Sequence, residues 1–293
     1  MLLGAGLVSL GWAGINFWPE NGNPGSTLPT TLLLAAALAP TTLALVTLLS
    51  RPIRGHWLAR HGFSGPGGGL DGAAAVNLLL LLPENLNTPN LAQRLIQLKQ
   101  RGVQTIFATP QPPATAAAIA ATIGADDFRV VDSPVALLAL IETGRNEGWL
   151  PAMATTSEAC LRPLQRVSLA LTGVAAAPTL RQAAAMVDVS PGTPRIITLV
   201  ELGHQWHWVC RLLRGLALLA DGLKWLVAIP AAFPALGGAI GLSYAAPAVA
   251  ATTALAISGI TALACGAFLY VAHRLPSGIP AGARHHTPGS YAG

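Results

Sequence analysis

Charged residues are scarce in this chain of 293 amino acids. Asp, Glu, Lys and Arg make up 10% of it, against roughly 25% in average soluble domains. Hydrophobic residues make up 52% of the chain, and the mean hydropathy is +0.54. This composition excludes a disordered chain, because such chains carry many charges and few apolar groups. Of the 17 cations, two are lysines and no four are consecutive, so the sequence has no basic stripe for nucleic acid.

Paired cysteines and the common catalytic motifs are also missing. Cys160, Cys210 and Cys265 lie far apart without C-x-x-C spacing, which argues against a disulfide framework or a structural zinc site. The glycine-rich run at 65–69 lacks the Lys-Ser/Thr of a P-loop, and no G-x-S-x-G nucleophile elbow occurs. We therefore interpret residues 61–75 as a flexible Gly-rich linker, and we expect no metal site.

Long apolar stretches predict about four membrane spans. Residues 2–18 contain no charged side chain, and a second apolar stretch covers about 30–49. A third region, 215–273, contains two charges and is divided by prolines; it has room for two helices, since one span takes about 20 residues. A cleaved signal peptide is the alternative at the N-terminus, but no basic segment follows Met1 and no small-residue cleavage site follows the apolar stretch.

The cations are distributed asymmetrically along the chain. Of the 17 cations, 14 lie between residues 51 and 214, and the connectors near 19–29 and 235–244 contain none. Cytoplasmic segments of membrane proteins carry an excess of Lys and Arg. We therefore expect a multi-pass protein of the bacterial inner (plasma) membrane, with the central region and both termini in the cytoplasm.

The central region has the pattern of an α/β domain. Residues 76–82 form an apolar run typical of a strand buried on both faces, and 103–108 and 150–154 are weaker versions of it. Helical patterns occupy 90–101, 114–123, 134–147 and 180–187. Strands that alternate with helices predict βαβ units, a parallel sheet and a three-layer domain.

Asp221 and Lys224 are the two charges of the third apolar region. Their i, i+3 spacing places them on one helix face, where they can neutralise each other. An ionised group inside a bilayer costs at least a few kcal/mol. The pair can either fix the register of a helix or belong to an ion pathway or coupling element, and the sequence favours neither.

Several segments resemble the catalytic subunit of the Kdp-type potassium-transporting P-type ATPases. They are residues 39–42, 101–111, 115–121, 124–128, 186–189 and 221–233. The resemblance is collinear and covers most of the chain. It implies an α-helical membrane protein with an inserted HAD-like (Rossmann-like) phosphorylation domain, but without the family's nucleotide-binding and actuator domains.

The resemblance also implies that the catalytic positions are degenerate. The aspartate that the family phosphorylates falls on Pro83, and neighbouring Glu84 is displaced by one residue, which on a strand end points the opposite way. The family's lysine falls on Leu137, and its magnesium-binding loop becomes Thr156 and Cys160. We therefore expect that the ATP and magnesium sites are lost and that no cofactor is bound.

In contrast to the catalytic positions, the membrane-embedded polar residues of the family are retained. They are Pro40, Thr41, Thr42, Asp221 and Lys224, which the resemblance assigns to an ion path or to coupling. We expect a pseudoenzyme that acts as a scaffold or regulatory partner, with the lipid bilayer and a potassium-channel-like transport subunit as partners and no nucleic acid. A cation transport component powered by a partner is the alternative, and a gene product without function is a third.

The predicted organisation has five parts. They are a first transmembrane hairpin with its exit helix at 1–60, the linker at 61–75, a degenerate phosphorylation domain at 76–200, a second transmembrane hairpin at 201–274, and a disordered cytoplasmic tail at 275–293.

Overall fold

The computed structural model describes residues 41–65, 69–232 and 247–274. The elements in chain order are α1 (Thr41–Arg60), β1 (Phe63–Ser64), α2 (Gly69–Ala75), β2 (Leu78–Leu81), α3 (Leu91–Gln100), β3 (Gln104–Thr109), α4 (Pro113–Ile123), β4 (Asp127–Val130), α5 (Pro134–Asn146), β5 (Pro151–Ala154), α6 (Leu161–Arg166), β6 (Leu169–Gly173), α7 (Pro178–Ala183), β7 (Met186–Asp188), α8 (Ile196–Ala232) and α9 (Pro247–Arg274). Short 3-10 helices at Pro83–Asn87 and Glu158–Cys160 follow β2 and β5.

The strands form one sheet in the order β1-β7-β6-β5-β2-β3-β4. Strand β1 is antiparallel to β7, and the other neighbours are parallel. The chain builds outward from β2 through β3 to β4, then returns to the other side of β2 and builds outward through β5 and β6. The sheet therefore confirms the expected parallel βαβ arrangement, with β5 and β2 as neighbours in its middle.

Strand β2 explains why the domain has three layers. All four of its residues are leucines with 3% exposure or less. Side chains alternate between the two faces of a strand, so Leu79 and Leu81 join one buried cluster while Leu78 and Leu80 join the other. Helices α3 and α8 contribute to the first cluster, and α5, α6 and α7 to the second. The predicted strand at 76–82 and the three-layer prediction are confirmed.

The interpretation of residues 61–75 as a flexible linker is wrong for much of its length. Strand β1 and helix α2 occupy this segment, and Leu70 and Ala73 of α2 are fully buried. Helix α2 packs tightly on α8, where a Cβ added to Gly203 would lie 2.6 Å from the Cβ of Ala73. Small residues allow this close approach, and in the sequence they are indistinguishable from a linker composition.

The predicted helix at 180–187 is correct only in its first half. Helix α7 ends at Ala183, and Met186–Asp188 forms β7. This three-residue strand is held by pairing with β6 on one side and β1 on the other. Pairing over such a short segment leaves no periodic pattern. The sequence also does not predict β4 and β6.

Helix α8 is 37 residues long and begins inside the predicted domain 76–200, not at its end. It packs against α1, α2 and α9. Within the part of the chain that the structure describes, no helix combines the length and apolar composition needed to cross a bilayer. Three predicted segments lie wholly or mostly outside the described residues. They are the span at 2–18, most of the span at 30–49, and the tail at 275–293.

An ion pair joins the sheet domain to α8. Arg94 of α3 donates from Nε to Oε1 of Glu201 at 2.9 Å, and from a terminal nitrogen to Oε2 of the same carboxylate. A further bond of 2.8 Å runs from Arg94 to the Thr198 hydroxyl. Two parallel bonds between guanidinium and carboxylate fix orientation as well as distance, so α8 leaves the domain in a defined direction.

Candidate functional site

A cavity of about 340 Å³ opens where β2, β3 and β5 end. Parallel strands bring the residues that follow them to one edge of the sheet, and open α/β folds bind their ligands at this edge. Its apolar wall consists of Leu82, Pro83, Ala108, Pro110, Val131, Pro134 and Leu137. Its polar groups come from Glu84, Asp132, Ser133, Thr155, Ser157 and Cys160.

The positions that the resemblance assigns to phosphoryl transfer come together here. Pro83, Leu137 and Cys160 line the cavity. Thr156 lies beside them, because its hydroxyl donates to Glu84 at 2.8 Å. These residues are far apart in the sequence, and the sheet topology places them on one edge. Their catalytic roles in the family stay an implication of the resemblance.

The expected direction of Glu84 is wrong. The expectation assumes a strand end, on which neighbouring side chains point to opposite faces. The strand ends at Leu81, and residues 83–87 form a 3-10 helix instead, so the alternation no longer applies. Glu84 lines the same cavity as Pro83, and the backbone N–H of Thr156 donates to its carboxylate at 3.3 Å.

Asn85 holds this turn in place. Its side-chain oxygen accepts from the backbone N–H of Leu82 at 3.0 Å, and only 1% of the residue is exposed. Pro83 stands at the first position of the 3-10 helix, where a missing N–H costs little because that donor has no partner in the helix. The turn therefore presents a proline ring and a carboxylate to the cavity.

The cavity has an acidic character. Its charged residues are Glu84 and Asp132, and none of its lining residues is Lys, Arg or His. Burial raises the pKa of the Cys160 thiol, and the nearby Glu84 charge adds to that rise, while a hydrogen bond with Thr155 opposes it. Within the described ranges, no three His, Cys, Asp or Glu side chains cluster as a metal-binding group.

A second polar site lies on α8, at the start of α1. Nζ of Lys224 is 2.9 Å from Oδ1 of Asp221, and the two residues are 0% and 1% exposed. The backbone N–H groups of Thr42 and Leu43 donate to the Asp221 carboxylate at 3.4 and 3.2 Å. Because the first N–H groups of a helix have no partner within it, Asp221 caps α1 from another helix.

The structure thus joins several of the residues expected on an ion path. Thr42, Asp221 and Lys224 are in contact, and Thr41 begins α1. The Thr42 hydroxyl is buried and has no hydrogen-bond partner among the described residues. Pro40 lies outside the described residues. The assignment of this cluster to conduction or to coupling stays a prediction.

Sequence reasoning misses three parts of these sites. It does not single out Asp132, because this residue follows a strand that the pattern does not predict. The cap that Asp221 provides joins residues about 180 positions apart and has no local signal. The link from Arg94 to Glu201 is of the same kind, since its partners lie 107 positions apart.

Comparison with known proteins identifies the relatives of this chain. A potassium-transporting ATPase ATP-binding subunit from Rhizobium meliloti (strain 1021) is 36% identical over 156 residues, which covers 51% of this chain and 22% of the relative. The same subunit from Serratia proteamaculans (strain 568) is 32% identical over 145 residues, or 50% of this chain and 21% of the relative. Across about half of its length, the chain is therefore a relative of this subunit.

The region shared with this chain is a small part of each relative. The chain spans about a fifth of the length of these ATP-binding subunits. No protein-family model matches it. The predicted relationship to the potassium-transporting ATPase subunit is thereby confirmed over about half of the chain. The activity of the whole relatives does not follow from it.

Solved structures confirm the fold. A zinc-transporting PIB-type ATPase superposes with a TM-score of 0.62 at 11% identity, covering 92% of this chain and 62% of the other. A crystal structure of a zinc-transporting PIB-type ATPase in a different state gives a TM-score of 0.58 at 12% identity, covering 90% of this chain and 61% of the other. At such low identity the likeness concerns the fold alone, and it covers most of this chain.

Proposed function

We propose that this chain is a catalytically inactive membrane protein related to the potassium-transporting ATPase ATP-binding subunit, and that it acts as a scaffold or regulatory partner of a membrane transport complex. One observation carries the proposal. The cavity at the ends of β2, β3 and β5 has Pro83 and Leu137 in its wall, at the positions to which the resemblance assigns a nucleophilic aspartate and a lysine.

Phosphoryl transfer depends on positioning and on stabilising the charge of the transferred group. A proline ring has no nucleophilic atom, and leucine has no charge to stabilise a phosphoryl oxygen. The Glu84 carboxylate lies in the cavity, but it is the acceptor for both the N–H and the hydroxyl of Thr156. Two acids in a cavity whose lining residues include no cation repel a nucleotide phosphate, which supports loss of activity.

Exposed leucines on α8 support a membrane location. Leu216, Leu219, Leu223 and Leu226 are 47%, 62%, 49% and 63% exposed, and their spacing places them along one side of the helix. The opposite side buries the charged pair Asp221 and Lys224. Large exposed apolar patches mark contact with a membrane or another protein, and charges turned inward with leucines turned outward fit a lipid environment.

The scaffold role is supported by how the helices are connected. Asp221 joins α8 to the start of α1, and Arg94 with Glu201 joins α8 to the sheet domain. A change at the domain can therefore reach α1 through one continuous helix. This is the connection that a regulatory partner needs, and it does not depend on a catalytic aspartate.

Incubation of the purified chain with radiolabelled ATP and magnesium tests the inactivity. We expect neither an acid-stable phosphoenzyme nor vanadate-sensitive ATP hydrolysis, with a potassium-transporting ATPase ATP-binding subunit in its own complex as the positive control. Phosphoenzyme formation by this chain would refute the proposal. Affinity purification from detergent-solubilised membranes tests the scaffold role, for which we expect co-purification of a potassium-channel-like transport subunit.

A second function is favoured by one observation, the unpartnered Thr42 hydroxyl beside the buried Asp221 carboxylate in the described part of the chain. Buried polar oxygens of this kind can line the path of a cation. In this alternative the chain is a cation transport component, with energy from a gradient or a partner. Potassium uptake that is unchanged by Asp221→Ala and Lys224→Ala would exclude it, and Leu223→Ala on the exposed side of α8 is the matched control.

A further inference from the structure

We propose that the cavity at the ends of β2, β3 and β5 binds a small amphipathic organic cation, with an apolar body and one ammonium group. This inference rests on the proposed function in one respect, since a cavity without phosphoryl transfer is free to take another ligand; the preference for a cation is measured independently of that activity. It goes further by assigning the cavity a ligand of defined chemistry.

The size and wall of the cavity fit the apolar body. Its volume of about 340 Å³ lies in the range of roughly 300–1,000 Å³ that is typical of small-molecule sites. Leu82, Pro83, Val131 and Leu137 form much of its wall, and Leu137 is 3% exposed in a helix packed on the sheet. A rigid apolar wall with a few polar groups at its mouth is the usual construction of a ligand site.

The two carboxylates determine the charge of the ligand. Glu84 is held toward the cavity by the hydroxyl and N–H of Thr156, at 2.8 and 3.3 Å. Its Oε1 accepts only the longer of these bonds and keeps capacity for a ligand N–H. Asp132 lines the same cavity and has no hydrogen-bond or ion-pair partner among the described residues. An ammonium group between these acids gains attraction from both, whereas a carboxylate or phosphate is repelled by both.

One feature opposes this assignment. Helix α5 begins at the cavity, and the N-terminus of a helix attracts anions through its unpaired N–H groups. Here Pro134 stands at the first helical position and has no N–H, and the Ser133 hydroxyl accepts from the N–H of Ala136 at 3.3 Å. Two of the donors that an anion would use are therefore absent or occupied, and the two full charges of Glu84 and Asp132 outweigh the partial charge of the helix end.

Cys160 provides a direct readout of occupancy because it lines the cavity. The full chain in detergent, with Cys210→Ala and Cys265→Ala, keeps Cys160 as its single thiol. The rate of Cys160 alkylation by N-ethylmaleimide is measured with phenethylammonium, 2-phenylethanol or phenylacetate, which present an aromatic ring on a short chain and differ in charge. We expect phenethylammonium to protect at a concentration about tenfold lower than phenylacetate, since two partly exposed charges contribute modestly.

Neutral variants test the acids. Glu84→Gln with Asp132→Asn is expected to remove the preference for the ammonium compound, whereas Glu142→Gln with Asp127→Asn, which changes the charge equally outside the cavity, is expected to keep it. Equal protection by the three compounds in the unmodified cavity would overturn the inference. Protection by inorganic phosphate or orthovanadate without protection by phenethylammonium would overturn the proposed function as well. Ammonium protection together with vanadate-sensitive ATP hydrolysis would overturn the proposed function alone and support the cation site.

Discussion

Replacement of Asp221 by alanine is expected to destabilise the helical part of the protein strongly. The carboxylate accepts from the N–H groups of Thr42 and Leu43 and from Nζ of Lys224. Lys224 is 0% exposed, so the substitution leaves a buried ammonium group without its carboxylate. Breaking a buried ion pair in this way costs about 3–5 kcal/mol, and loss of a helix cap costs about 1 kcal/mol more.

Substitution of Lys224 is expected to lower the free energy of unfolding by less than substitution of Asp221. In Lys224→Met, the Asp221 carboxylate keeps both backbone donors at the positive end of α1. Asp221→Asn keeps an oxygen for the cap and should fall between wild type and Asp221→Ala. The double variant Asp221→Ala with Lys224→Met should cost less than the sum of the single variants, because residues in contact couple by about 0.5–3 kcal/mol.

Unfolding of the detergent-solubilised protein, followed by tryptophan fluorescence, measures these differences. A cost of about 4–6 kcal/mol corresponds to a fall in Tm of roughly 8–24 °C, at about 2–4 °C per kcal/mol for a chain of this size class. Asp127→Ala is the control, since Asp127 pairs with Arg129 on the surface and such pairs contribute about 0–1 kcal/mol. A larger cost for Lys224→Met than for Asp221→Ala would refute the view that Asp221 caps α1 in addition to pairing with the lysine.

Two further predictions concern packing and the cavity. Gly203→Ala should lower the free energy of unfolding by about 1–3 kcal/mol through overpacking, because the new Cβ would lie 2.6 Å from the backbone nitrogen of Ala74. Gly215→Ala on the same helix has open space around it and should be neutral or stabilising by up to about 1 kcal/mol. Denaturant unfolding compares the two variants. Glu84→Gln should lower the pKa of Cys160, because it removes a negative charge that disfavours the thiolate. Alkylation of Cys160 should then be faster at a given pH, and its pH–rate profile should shift to lower pH. An unchanged profile would show that burial alone raises this pKa.

The central elements of the sheet domain are predictable because their signals are local. Strand β2 is a run of four leucines, and α3, α4 and α5 begin within one residue of the expected positions. Such segments are buried on one or both faces, so their hydrophobic pattern records the environment of each side chain. The resemblance adds the relationship to the potassium-transporting ATPase subunit, which the comparisons confirm over half the chain.

The shorter elements are not predictable, because partners distant in sequence stabilise them. Strand β7 has three residues and exists through its two neighbours in the sheet. Helix α2 has a composition of mostly glycine and alanine, and it is ordered by its close packing against Gly203. Neither leaves a periodic pattern in its own residues, since the energy that stabilises it comes from the surface it covers.

The sequence by itself determined the scarcity of charge, the α/β alternation and the pairing of Asp221 with Lys224 on one helix face. Only the tertiary structure decided what these charges contact. It placed Asp221 at the start of α1, and it turned Glu84 into the cavity beside Pro83 by ending β2 one residue earlier than the pattern suggests. Spacing along a helix follows from backbone geometry, whereas contacts between distant elements depend on how the whole sheet and its helices pack.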